Sequence, residues 1–247
     1  MKPGNTACRF AGAAIMKHLA GASVIIMTLA IPSLAQMGGG SPELQQKLAA
    51  LKQSAAENKQ RLHQYQWVET RQITYKGEAK PQQNFQCSYG PDGKVQKVSM
   101  EPPPQPSGRQ GRLKEHVVEK KTDELKDYMQ QVQSLLSQYV PPSAQLMQKA
   151  FEAHNVSIVP GGAAQLVFKN YAQPGDQMTV SFDMAAKKIQ SLNVNTYLSE
   201  PKDVVTLAVQ FGSLPDGTNY AQQINLDATA KKLQVMMTNS NYSRLGQ

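Results

Sequence analysis

The chain is short of the residues that most often declare a function. Among its 247 residues there are two cysteines, and Cys8 lies in an N-terminal segment with the marks of a removable signal, which leaves Cys87 alone. A lone thiol excludes an intrachain disulfide, so stability must come from a packed core even in an oxidising compartment. Cys87 alternates with Phe85 and Tyr89 on one face of a predicted strand, the place of a buried, inert thiol rather than of a nucleophile. Histidine is scarce too. His63, His116 and His154 form no His-x-x-x-His or Cys-x-x-Cys spacing, so neither a metal site nor a cofactor is expected. His63 and His154 fall near helix ends, where a surface imidazole is the ordinary outcome. A Gly-x-Ser-x-Gly elbow and a phosphate-cradling glycine loop are both missing, and Gly161-Gly162 reads as a turn. Glu69, Asp183, Asp203 and Asp227 could work as paired acids only if folding brought them together, and most acids here flank turns. No catalytic residue is assigned, and a non-enzymatic protein is expected.

Acidic residues are absent from Met1 to Ala35, while Lys2, Arg9 and Lys17 supply positive charge. An apolar run from Leu19 to Ile31 follows, then Pro32-Ser33-Leu34-Ala35-Gln36, with small residues at Ser33 and Ala35. That order predicts a secretory signal cleaved after Ala35, with Met16-Lys17-His18 as an alternative start. The run of about 13 residues is short of the roughly 20 that a spanning helix needs. With no cysteine at the cleavage point there is no lipobox, so a soluble periplasmic or secreted protein is expected. Met37 to Gly40 forms a flexible lead-in, and residues 41–247 the working domain.

Charge of one sign does not dominate. Without the three basic residues of the signal, 23 Lys and Arg stand against 18 Asp and Glu, a net of +5. Nucleic-acid binding would require a basic stripe with interleaved aromatics. Only Arg109 to Lys121 approaches this, and its neighbouring Pro, Gly, Glu115 and Glu119 mark it as a solvated loop. Nucleic acid is therefore not an expected partner.

What is present is periodicity. Ser41-Pro42-Glu43 opens a helix with a cap, a proline at the first helical position and an acid in the first turn. Leu44, Leu48, Leu51, Ala55 and Leu62 continue it as one apolar stripe to about Gln64. From Trp67 the period becomes two: Trp67, Glu69, Arg71, Ile73 and Tyr75 share one face of a strand. Turns at Lys76-Gly77-Glu78 and Pro91-Asp92-Gly93 connect it to strands at Asn84–Tyr89 and Lys94–Met100, a three-stranded meander. Residues 101–111 hold four prolines and two glycines and form a long loop, a linker or a lid. A helix over Thr122–Tyr139 carries Leu125, Met129, Val132, Leu136 and Tyr139, and Pro141-Pro142 stop it. Ser143 caps a short helix with Leu146, Met147, Ala150 and Phe151.

The last third is strand: about Gln165–Ala172, Met178–Met184, Ile189–Leu198, Val204–Leu214, Asn219–Asp227 and Leu233–Tyr242. Met178, Val180, Phe182 and Met184 alternate with polar residues, as do Val205, Leu207, Val209 and Phe211, so one face of an antiparallel sheet is buried and the other wet. Asp183–Gln190 echoes Asp227–Gln234, with a looser copy at Tyr89–Gln96; each marks a reused hairpin turn rather than a repeat architecture. Methionine is plentiful, at Met100, Met129, Met147, Met178, Met184, Met236 and Met237; such side chains suit irregular apolar ligands and equally well fill gaps in a core.

This order of elements resembles the periplasmic lipoprotein carriers of the LolA/LolB type and their relatives. The resemblance spans Ser41 to Tyr242 and is carried by the Leu44–Leu62 stripe, the Trp67–Tyr75 strand, and the turn-strand units Asp183–Leu198 and Leu214–Leu226. It implies an α+β half-barrel: an incomplete antiparallel barrel of about nine to eleven strands, wrapped over helices and enclosing a cavity for acyl chains. A curved sheet with one apolar face can also be argued physically to leave a pocket against amphipathic helices. Residues alternating inward would wall it: Trp67, Ile73, Val180, Phe182, Leu207, Val209 and Phe211. The expected function is non-covalent binding of a lipid or a lipoprotein acyl chain, with transient membrane or envelope-protein contact. The alternatives are an envelope sensor or scaffold whose core is filled, and an enzyme of unrecognised type.

Overall fold

The structure, a computed structural model, describes residues 57–102, 112–159, 164–183, 185–186 and 188–246, with backbone alone for 112–122 and 144. The signal segment, the lead-in, the helix start at Ser41, most of the proline-rich loop, Gly161-Gly162 and Met184 lie outside those residues.

Side-chain alternation organises the sheet. β1 (Tyr65–Tyr75) buries every second residue: Tyr65, Trp67, Glu69, Arg71, Ile73 and Tyr75. Lys76 and Gly77 then both take positive φ, 52° and 82°, which turns the chain tightly into the two-residue β2 (Glu78–Ala79). β3 (Gln83–Tyr89) returns along β1, and β4 (Val95–Ser99) returns along β3, so the expected meander is present. The C-terminal run is β5 (Val156–Val159), β6 (Ala164–Lys169), β7 (Gln177–Asp183), β8 (Lys188–Tyr197), β9 (Val204–Ser213), β10 (Asn219–Ala228) and β11 (Leu233–Arg244).

All pairings are antiparallel, in the order β4-β3-β1-β11-β10-β9-β8-β7-β6-β5, with β2 beside β1. The last strand therefore pairs with the first, from Tyr65↔Arg244 to Tyr75↔Leu233. β4 and β5 are edges that do not meet, so the curved sheet of 11 strands is an incomplete barrel. The expected fold class, α+β with an unclosed antiparallel barrel, is the one observed.

Three local expectations need correction. The helix expected from Thr122 begins ten residues earlier, as α1 (Arg112–Leu136). Between Gly111 and Pro141 the chain has no Pro or Gly, and its Lys, Glu, Arg and Leu residues are good helix formers. Most of the basic segment read as a solvated loop is thus helical backbone. β5 was not anticipated, because its four residues bury almost nothing and alternate only weakly. The strand expected to reach Ala172 stops at Lys169, because Asn170 takes φ 50° and Asp176 fastens the following turn.

Helices cover the inner face. α1 contributes Leu125, Tyr128, Met129, Val132 and Leu135, and α2 (Ala144–Glu152) contributes Met147 and Ala150, to one core with the inward residues of β1 and β6–β11. Ser143 caps α2 as expected, accepting from the Leu146 amide at 3.4 Å. A smaller cluster of Leu62, Trp67 and Cys87 lies apart, joined by Phe85, Tyr89, Val95, Tyr220 and Tyr242.

Candidate functional site

The seven residues expected to wall one cavity do not form one group. Ile73, Val180, Phe182, Leu207 and Val209 join the main core, and Phe211 is half-buried against it. Trp67 belongs to the smaller cluster. Its ring stacks on Tyr242 at 5.5 Å and tilts against Tyr89 at 5.4 Å. A register shift between Gln66 and Val68, opposite Asn241 at φ 54°, keeps Tyr242 on the inner side. The indole Nε1–H donates to Asn239 Oδ1 at 3.1 Å, and Asn239 donates in turn to the Ala221 carbonyl at 2.8 Å.

Between the two apolar clusters the inner face is charged. Alternation along β1 places Glu69 and Arg71 between Trp67 and Ile73, and the β3–β4 pairing of Cys87 with Lys97 brings a lysine alongside. Glu69 accepts from Arg71 Nη2 through one oxygen and from Lys97 Nζ through the other, both at 2.5 Å. The three side chains are 5%, 1% and 8% exposed for Glu69, Arg71 and Lys97, so this is an interior ion cluster rather than a surface pair. Arg71 also stacks on the Phe85 ring at 5.0 Å.

Burial would raise the Glu69 carboxyl, but Lys97 and Arg71 beside it hold it below its ordinary value. Lys97 is lowered, chiefly by burial, against the pull of Glu69. Cys87 is fully buried, as expected, and burial together with the Glu69 carboxylate pushes its thiol up to about 11.

The cluster is not internally satisfied. Arg71 Nε and Nη1 are buried and have no partner among the described residues, and neither has Oε1 of Gln83, the residue paired with Arg71 across β3. The Tyr89 and Tyr242 hydroxyls and His63 Nε2 are in the same condition. His63 stacks on Tyr89 at 4.3 Å and is lowered by burial and by Lys59, which corrects the expectation of a surface imidazole. His154 is exposed, as expected at the end of α2.

Glu69 was legible only as one acid among four, and Arg71 and Lys97 were not singled out. The available signal was that Glu69 and Arg71 share a strand face with Trp67, Ile73 and Tyr75. The four acids do not converge. Asp183 accepts from the amides of Ala185 and Ala186, and Asp227 accepts from Gln234 on the outer face. Among the described residues no three His, Cys, Asp or Glu are grouped so as to hold a metal ion. A groove of about 300 Å³ on the outer face has a mixed lining, polar at Gln72, Thr74, Thr206 and Asn225 and apolar at Ala208 and Met236, and it lies on the side of the sheet away from the expected wall residues. No described helix is long and apolar enough to cross a membrane.

No family model matches the chain, and no curated protein matches it. Among solved structures there is a distant likeness to the crystal structure of a DUF1329 family protein from Desulfovibrio piger, at 10% identity and a TM-score of 0.37, covering 81% of this chain and 95% of that one. At that score the likeness assigns neither fold nor function.

Proposed function

We propose that the chain is an exported cell-envelope protein that holds a hydrophobic ligand, a lipid or a lipoprotein acyl chain, between its curved sheet and its helices without catalysis. One observation carries this reading: the main apolar cluster of the inner face lies under α1 and α2 in a sheet whose edges, β4 and β5, are not bonded to each other. The helices can lift from such a sheet without breaking any rung of its ladder. Met129, Met147, Met178 and Met237 line that interface with unbranched side chains that adapt to irregular apolar shapes. Each buried CH₂ of a ligand contributes about 0.8 kcal/mol, so a medium-length acyl chain suffices for useful affinity. The sequence-level resemblance to LolA/LolB-type carriers and the secretory signal support the same reading.

The experiment is native mass spectrometry of protein purified from the periplasm. Co-purified lipid is the expected result. A mass equal to the bare chain, together with failure to bind a fluorescent fatty acid, overturns the proposal. A second reading, an envelope interaction or scaffold protein, is favoured by exposed apolar residues at both sheet edges: Val98 and Met100 at β4, Ile158 and Val159 at β5. It predicts that Val98→Lys with Met100→Lys abolishes association with envelope proteins while leaving lipid content unchanged.

A further inference from the structure

We infer that the Glu69–Arg71–Lys97 cluster is a subsite for an anionic oxyacid group, carboxylate or phosphate, at the head of the hydrophobic ligand. The inference rests on the proposed binding function and adds the chemical class of the ligand.

Among the described residues two cations and one carboxylate share this part of the interior, so the cluster as described carries one excess positive charge. An uncompensated charge in a low-dielectric interior is strongly unfavourable. Of the Arg71 nitrogens, only Nη2 meets an acceptor among the described residues; Nε and Nη1 are buried and have no partner among them. A bridging water would satisfy the donors but leave the charge. A monoanion does both. The surroundings define the rest of the ligand: Ile73 and Met237 flank the cluster toward the main core, Trp67 and Phe85 toward the smaller one. Whatever is attached to an oxyanion at Arg71 therefore meets hydrocarbon and aromatic side chains, which fits an aliphatic tail and not a polar one.

The test titrates the exported protein with palmitate, hexadecyl phosphate and hexadecanol, reading displacement of a neutral fluorescent probe. Either anion is expected to bind about tenfold or more tightly than hexadecanol, the worth of one charge-assisted contact. Arg71→Met and Lys97→Met should each reduce that preference without weakening hexadecanol. If these variants do not fold, the Arg71 Nε–H resonance of ¹⁵N-labelled wild-type protein gives the same answer: palmitate should move it and hexadecanol should not. Equal binding of anions and alcohol, or a preference that survives Arg71→Met, overturns the subsite and leaves the hydrophobic-ligand reading standing. If the long-chain compounds fail to bind but acetate or inorganic phosphate shifts the Arg71 resonance, the anion site stands and the hydrophobic-ligand reading falls. Failure of every compound sinks both.

Discussion

At the scale of single residues, the most consequential is Glu69, whose two oxygens hold Arg71 and Lys97. Glu69→Gln leaves two buried cations without a counter-charge and should destabilise the fold by about 3–5 kcal/mol in urea unfolding. Replacing Glu69, Arg71 and Lys97 together by Leu, Met and Met should cost much less, because the buried charges disappear with their partners. Acid should act through the same carboxylate. Its folded pKa lies below the ordinary 4.5, so its contribution is fully present above that value and is lost as pH falls through the lower folded value. Urea midpoints of the wild type should fall across that acid range, and those of Glu69→Gln should fall less. Cys87, with its thiol raised to about 11 by burial, should resist a thiol reagent in the native protein and react once urea unfolds it.

At the scale of elements, two connections join neighbours that are separate in the chain. Trp67, the only tryptophan, ties β1 to β11 through Asn239 and stacks on Tyr242. Trp67→Ala should cost about 3–5 kcal/mol, and the native protein's tryptophan emission should be blue-shifted and move red on unfolding. Asp176 fastens the β6–β7 turn, accepting from the amides of Tyr171, Ala172 and Gln173 at 2.5, 2.9 and 2.8 Å. It also accepts from the Tyr139 hydroxyl at 2.5 Å, just beyond α1, so turn and helix are joined through one carboxylate. Asp176→Ala should destabilise by about 3 kcal/mol or more, since several hydrogen bonds to one acceptor are lost together and the buried Tyr139 hydroxyl keeps only Thr196 as a partner. A urea titration checks this.

At the scale of the whole molecule, the sheet is closed in sequence but open in space. β11 lies between β1 and β10, so among the described strands the backbone ladder joins the N-terminal meander to the C-terminal run through the last strand. Deleting residues 233–247 should therefore abolish cooperative folding rather than trim an end, seen as loss of a single sigmoidal transition by circular dichroism. The unbonded edges β4 and β5 are what make separation of sheet from helices feasible in the proposed function.

The sequence by itself determined the elements that bury one face at a regular period. Trp67–Tyr75, Met178–Phe182 and Val205–Val209 were readable as half-buried strands, because a period of two needs only local information, and the turns at Gly77 and Gly93 announced themselves through residues that tolerate positive φ. The α1 start was obscured by the proline-rich stretch before it, and β5 by its lack of burial. Tertiary structure alone decided that Trp67 leaves the group of expected wall residues, and that Lys97 reaches Glu69. Both depend on strand neighbours far apart in the chain, such as Trp67 and Asn239, 172 residues apart. Alternation tells a residue which face it occupies. Only pairing tells it what it meets there, and so only the folded sheet could turn Glu69, Arg71 and Lys97 from three surface-type residues into one buried cluster.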